Sequence, residues 1–274
     1  MKITKLKAIL FIITLSSTGS LFGQQNEPDS TVVAKDRTVA HNQIGIMQIQ
    51  SFYGSNLPTM SMTSLQYLRK TNDEKATFIG RVNYRTRDGK NSLKYDAESY
   101  IKHGKSHYSF IGISLSDKKM FPGFEGYYSL YSSLKKGWEL ETGMKYLSAT
   151  NFNLFTPIVG ISKEMEYNRL TLRNFITFTS GNVYYGNAFT WKNFLNDSRD
   201  NISVMAGFGN APDSKTLDFS ENFVSNKSQF IGIGYEKNLK SFKISAVTVY
   251  NRNHFSTGKK FNQYDVYLNA FYNF

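Results

Sequence analysis

The chain of 274 residues holds 22 phenylalanines and 18 tyrosines, only 5 prolines and no cysteine, and carries a formal net charge of +12. The missing cysteine excludes a disulfide scaffold, and with it attachment through a lipidated cysteine. No basic helical pattern accompanies the positive charge, which argues against nucleic acid as a partner and fits basic turns and interior groups near acidic lipopolysaccharide.

The amino end reads as a secretory leader. Lys2, Lys5 and Lys7 precede an apolar run from Ala8 to Leu15, followed by small and polar residues. That run is too short to cross a membrane as a helix. Residues 1–23 are therefore expected to form a signal peptide cleaved after Gly23. Residues 24–41 are polar and predict a flexible periplasmic lead-in, with His41 at its end. Beyond Gly23 no apolar run is long enough for a transmembrane helix.

From residue 42 to the end the chain alternates. Side chains in a strand point to opposite faces in turn, so alternation marks strands with two different surroundings. Strands are predicted at 43–53, 60–70, 76–87, 91–102, 106–116, 126–135, 138–148, 155–165, 168–179, 183–195, 201–209, 227–237, 240–252 and 260–274. That makes fourteen, with twelve as the alternative. Every second connection is short: Thr71–Lys75, His103–Lys105, Lys136–Gly137, Glu166–Tyr167, Asn196–Asp200 and Asn238–Leu239. The longest connections, Asp117–Glu125 and Asn210–Asn226, fall in the other set. Short turns at one end and long loops at the other are the habit of outer-membrane barrels.

Aromatic residues recur eight apart on one face: Trp138 and Tyr146, Phe242 and Tyr250, Tyr264 and Tyr272. Eight residues at ~3.3 Å, tilted ~40°, rise about 20 Å, close to the ~25 Å apolar band of a membrane barrel. The last strand carries Tyr264, Val266, Leu268, Ala270, Tyr272 and Phe274 on the same face. Its closing aromatics, Tyr272 and Phe274, resemble the signal by which such barrels reach their assembly machinery.

The same parity sorts the interior. Arg81, Arg85 and Arg87 on the third strand face inward beside Lys94, Asp96 and Glu98 on the fourth. Glu139, Glu141 and Lys145 of the seventh strand, with Arg173 and Asp265, complete the expected lining. Opposite charges on neighbouring strands can pair across the interior. They predict either a lumen packed by ion pairs or a polar channel with a transverse field and little ion selectivity.

Other chemistry is thinner. His103 and His107 flank a turn. His254 and Ser256 stand two apart on one strand face at the expected outer rim, a base beside a hydroxyl as nucleophilic catalysis requires. Asn253 and Asp265 are the nearby candidates for an orienting group. Asp213, Asp218 and Glu221 could hold a hard cation, but their spacing fits no calcium loop. The glycine pairs 207/209 and 232/234 lack a following helix, so they do not read as phosphate loops. They are expected instead to leave room in the lumen or to allow strand bending. No metal or cofactor is expected.

At Ser64-Leu65-Gln66-Tyr67 the chain begins to resemble the YaiO family of outer-membrane β-barrels. The resemblance continues through Arg81-Val82-Asn83-Tyr84-Arg85, Phe121-Pro122-Gly123 and Glu141-Thr142-Gly143-Met144-Lys145-Tyr146-Leu147. It extends to Tyr185-Gly186-Asn187 and to Gly207 through Asp213. Ile101 stands where a proline is expected and Phe208 where a tyrosine is common. The resemblance implies an outer-membrane barrel linked with surface or exopolysaccharide functions, and no catalytic residues.

The expectation is thus an all-β, transmembrane, antiparallel up-and-down barrel over 42–274 in the outer membrane of a Gram-negative bacterium. Its partners would be outer-membrane lipid and lipopolysaccharide, the barrel-assembly machinery, and a glycan or small polar solute. It would act as a passive pore or export-associated barrel. The alternatives are an outer-leaflet lipid hydrolase using His254 and Ser256, or a closed structural or adhesion barrel presenting 117–125 and 210–226.

Overall fold

The computed structural model describes residues 41–54, 57–150, 152–179, 181–195, 200–209, 226–255, 258 and 260–274. The expected signal peptide and nearly all of the lead-in lie outside these residues. Among them the strands are β1 (Asn42–Tyr53), β2 (Met60–Lys70), β3 (Ala76–Arg87), β4 (Lys90–Lys102), β5 (His107–Ser116), β6 (Phe124–Ser133) and β7 (Trp138–Ser148). They continue as β8 (Asn153–Met165), β9 (Asn168–Thr179), β10 (Asn182–Phe194), β11 (Asn201–Gly209), β12 (Asn226–Asn238), β13 (Phe242–Phe255) and β14 (Lys260–Asn273). Each pairs antiparallel with its sequence neighbours, and β1 closes on β14. The count of fourteen settles against twelve.

Closure is complete along the seam. Ile49 faces Tyr267 and Phe52 faces Tyr264. Asn42 N donates to Phe274 O at 3.0 Å, and Phe274 N returns a bond to Asn42 O at 2.9 Å. No water in hydrocarbon can satisfy an open strand edge, so a sheet can cross a membrane only as a closed ring.

The two faces of β14 show why the ring sits in lipid. Outward-facing Tyr264 and Leu268 are 51% and 53% exposed, while inward-facing Asp265 and Tyr267 are 0% and 2%. A large apolar side chain outside and a carboxylate inside reverse the pattern of a water-soluble protein. The same parity runs round the wall, from Ile44 and Leu65 to Ile231 and Ile233.

The start of β1 and the end of β14 lie at one end with connections 71–75, 103–106, 134–137, 166–167, 195–200 and 239–241. The opposite end carries 117–123 and 210–225, the latter outside the described residues. By the usual asymmetry of loops the end with the short connections is periplasmic. A two-residue connection at the other end is Asp88-Gly89, with φ of 49° and 69°. A two-residue hairpin needs positive φ at both positions, and Asp-Gly supplies it.

Boundaries differ from the sequence reading by two residues or more in β6, β8 and β13, and elsewhere by at most one. β6 runs over 124–133 rather than 126–135, because Phe124 and Glu125 pair with Ser148 and Leu147. Its far end stops where Lys135–Gly137 makes a single 3-10 turn and Leu134 N bonds Trp138 O. The outward loop therefore spans 117–123, not 117–125. β13 begins at Phe242 and reaches Phe255, since its pairing with β12 persists through Asn226.

Inside, the lumen is packed rather than hollow at the outward half. One apolar cluster gathers Ile49, Ile158, Phe175, Met205, Phe230 and Tyr267 with their neighbours. Lumen glycines accommodate the large groups beside them. A Cβ on Gly207 would lie 2.2 Å from the Phe230 ring, and one on Gly45 would lie 2.1 Å from Phe271. Overpacking a filled interior costs about 1–3 kcal/mol. Gly207→Val is therefore expected to destabilise the refolded barrel by an amount in that range, read as a lower urea midpoint of the heat-shifted gel band.

Candidate functional site

The sequence-predicted residues Arg81, Arg85, Arg87, Lys94, Asp96, Glu98, Glu139, Glu141, Lys145, Arg173 and Asp265 all lie on the inward face. Strand register explains which of them meet. Arg81 stands opposite Asp96, and Ile79 opposite Glu98. Arg81 Nη1 reaches Asp96 Oδ2 at 3.3 Å and Glu98 Oε1 at 3.2 Å, while its Nε donates to Gln66 Oε1 at 3.1 Å. Lys94 Nζ bridges Asp96 at 3.5 Å and Glu125 at 3.3 Å. Lys145 Nζ approaches the other oxygen of Glu125 at 3.4 Å, and Tyr127 Oη donates to the same carboxylate. A chain of alternating charges thus runs across β3, β4, β6 and β7.

A second group sits on β7 and β9. Arg173 Nε donates to Glu141 Oε2 at 2.7 Å while Nη2 donates to Oε1, a two-pronged pair. Ser129 and Tyr131 hydroxyls donate to the same carboxylate at 2.9 and 3.1 Å. The two partners come from strands that are not adjacent. Gly160 of β8 pairs with Glu141 on one side and Arg173 on the other. A Cβ there would stand 2.8 Å from Glu141 Oε2, so the glycine lets the ion pair pass over the intervening strand. Nearer the periplasm, Arg169 Nη2 reaches Glu139 Oε1 at 2.8 Å and its Nη1 lies 3.7 Å from Glu164 Oε2.

The outward mouth is cationic and covered. Residues 117–123 fold inward, burying Met120 and Phe121. Arg85 donates to Met120 O and lies 4.0 Å over the Phe121 ring. Arg87 lies 4.5 Å over Tyr53. The loop is pinned at its base by Asp117, which accepts from Ser92 Oγ, Leu93 N and Lys119 N. Burial pushes that carboxyl up, but these hydrogen bonds outweigh it and hold it below the ordinary 3.8. Asp265 sits apart, beyond β1 and β2, accepting from Asn251 and Gln263 at 2.9 Å each.

Glu125, Arg169 and Glu164 escaped the sequence reading of the lumen. By the sequence pattern Glu125 falls in the connection 117–125. Its parity with Tyr127, Ser129 and Tyr131 was the signal that could have placed it in β6.

The histidine constellations do not assemble. His103 and His107 bond to different serines, Ser109 at 2.7 Å and Ser132 at 3.0 Å. No metal-holding cluster occurs among the described residues. His254 lies on the outer wall by strand parity, while Asn253 and Asp265 are buried on the lumen side. The two candidate orienting groups therefore face away from the imidazole, and Ser256 lies outside the described residues, as do Asp213, Asp218 and Glu221. The closing aromatics Tyr272 and Phe274 stack with ring centroids 5.8 Å apart, and both are exposed on the lipid side.

The YaiO membrane beta barrel domain matches residues 41–214, more than half of the chain. Among curated proteins no sequence relative matches. In fold the chain is similar to the "Bacterial polysaccharide outer membrane secretin", at 7% identity and a TM-score of 0.58, over 85% of this chain and 98% of that one. It is also similar to the "CymD monoaromatic hydrocarbon channel", at 6% identity and a TM-score of 0.60, over 86% and 89%.

Two outcomes follow from this geometry. Removing one partner of a buried ion pair strands the other, at a cost of about 3–5 kcal/mol. Glu141→Gln should lower the unfolding midpoint accordingly, and Glu141→Leu with Arg173→Met should recover most of the loss. The anchoring by Asp117 is fully present above pH 3.8 and is lost as pH falls through its lowered value. Amide protection of Lys119 and Met120 should therefore be high at neutral pH, fall below pH 3.8, and be low at all pH values in Asp117→Asn.

Proposed function

The chain belongs to the YaiO family of membrane β-barrels, and on that premise we propose that it is a narrow, passive pore of the outer membrane for small polar solutes, closed at its outward mouth by residues 117–123. One observation carries this reading: ionisable side chains of both signs line β3 to β9, facing an apolar cluster drawn from β8 round to β1. Paired charges across a narrow passage make a transverse field that orients dipolar solutes, and their mixed signs give little net ion selectivity. The barrels it resembles in fold are a polysaccharide secretin and a hydrocarbon channel. The architecture therefore accommodates different cargo, and cargo class follows from the lining alone.

The gate follows from the same lining. In the outward half, inward groups such as Met60, Glu125, Leu147 and Gln263 are at most 2% exposed. Toward the periplasm, Glu164, Lys192, Glu236 and Lys243 of β8 to β13 are only half-buried, while Leu68, Ile79, Tyr100 and Tyr131 of β2 to β6 pack a second apolar cluster. A solute from the periplasmic side would pass along the half-buried charged groups and then meet a packed mouth. Displacing Met120 and Phe121 from Arg85 is the smallest motion that opens it. A role in moving a surface glycan outward would use the same path in one direction.

Single-channel recording of the refolded chain in a planar bilayer tests the reading. The wild type should show brief openings of small conductance. Phe121→Ala and Arg85→Gln should raise the open fraction several-fold. Well-folded barrels that stay silent in all three forms would overturn the pore.

A further inference from the structure

Polar side chains gather on the lipid face of β1 and β2. Strand parity turns Ile44, Gln48, Gln50 and Phe52 of β1 outward, with Ser61 and Thr63 of β2 beside them. Gln48 stands opposite Thr63, and Gln50 opposite Ser61. On the other side the two glutamines face Leu268 and Val266 of β14. Aromatic residues mark the height of this patch. Ile44 lies between Tyr67 and Tyr272, and Phe52 stands opposite Tyr264. Gln48 is four residues from each of these levels, at the middle of the apolar band, and Gln50 is one outward step beyond it.

Hydrocarbon offers no hydrogen bond, so each polar group at this depth needs a protein partner. Some find one within the wall. Thr63 Oγ1 donates to Gln48 Oε1 at 2.6 Å, and Gln48 Nε2 donates to Ser61 Oγ at 2.8 Å. Asn174 and Asn187, outward amides of β9 and β10, bond each other at 2.9 Å. Gln50 does not. Among the described residues its half-buried amide makes no side-chain hydrogen bond, and the Ser61 hydroxyl opposite it accepts one and donates none. An amide left over at this depth is answered by a protein group outside the barrel at the same depth, which another membrane-embedded wall supplies.

A second copy of the chain meets this requirement by construction. Two barrels inserted in the same direction are related by a two-fold axis along the membrane normal, which sets the same residue of each copy at one height. A carboxamide carries an acceptor oxygen and two donor hydrogens, so two Gln50 side chains can exchange hydrogen bonds. Between the aromatic levels the outward residues of β1, β2 and β3 are uncharged, and no like charges oppose the approach. Arg69 lies past Tyr67, at the periplasmic end. Ser61 and Thr63 are short, which leaves the wall low where a second wall must come close. We propose that the chain forms a homodimer in the membrane through the lipid face of β1 and β2, with the Gln50 amides of the two copies hydrogen-bonded across the axis. The interface lies on the outer wall and does not depend on whether the lumen conducts.

Sedimentation equilibrium of the refolded full chain in detergent tests the interface, with folding checked by the heat-shifted gel band. Wild type should show a monomer–dimer equilibrium, and Gln50→Leu should weaken association about tenfold through loss of the exchanged amide bonds. Thr142→Leu, on the outward face of β7 across the ring, should leave association unchanged. Photo-crosslinking in phosphatidylcholine vesicles locates the contact without touching Gln50. Benzoylphenylalanine in place of Phe52 should capture a second copy, whereas in place of Phe155, exposed on the far wall, it should capture lipid alone. A wild type that stays monomeric at every concentration, unchanged association in folded Gln50→Leu, capture of lipid alone from Phe52, or equal capture of a second copy from Phe155 would each overturn the proposal.

Discussion

Every other feature of this protein depends on the hydrogen-bonded seam between β1 and β14. In hydrocarbon an unpaired N–H or C=O costs several kcal/mol, so the sheet either closes or leaves the membrane. Closure fixes parity at the seam, with Ile49 against Tyr267 and Ser51 against Asp265. Parity in turn fixes the face of every residue on fourteen strands. A slip of one residue would send Asp265, Glu141 and Arg81 into lipid and bring Leu268 and Tyr264 inside. The charged interior and the greasy exterior are thus two consequences of one register, and each enforces it.

The interior illustrates how desolvation shapes sequence. Buried ions are tolerable only with partners and hydrogen bonds. Glu141 receives four such contacts, from both prongs of Arg173 and from the hydroxyls of Ser129 and Tyr131. The wall must also leave space for them. Gly160 sits between the two ions because any Cβ would block the carboxylate, and Gly207 lets the Phe230 ring lie flat against the wall. Glycine in these strands serves volume, not turning.

Strand number and facing were legible because a period of two is short and each strand repeats it five or six times. Boundaries were less so where the contrast between faces fades. Phe124-Glu125 begins β6 beside Pro122-Gly123, which read as loop, so Glu125 was lost from the lumen although it joins Lys94 to Lys145. Long-range partners were illegible for a different reason. Arg169 and Glu139 meet across an intervening strand, and only the curvature of a closed wall brings them together. The His254 and Ser256 motif was read from spacing alone. Parity then set Asn253 and Asp265 on the far side of the wall from the imidazole.

The same parity argument distinguishes what a charge does by where it points. Arg85 and Arg252 belong to one protein and lie near the same rim. Arg85 faces a covered mouth, stacked on Phe121 and bonded to the loop backbone, so its energy is tied to the loop's position. Arg252 faces outward on the lipid side of β13, one step beyond Tyr250. A basic residue on the inward face is thus bound into the packing of the mouth, whereas one on the outward face meets only what lies outside the wall. The two can be changed independently because the wall between them is one strand thick and fully hydrogen-bonded.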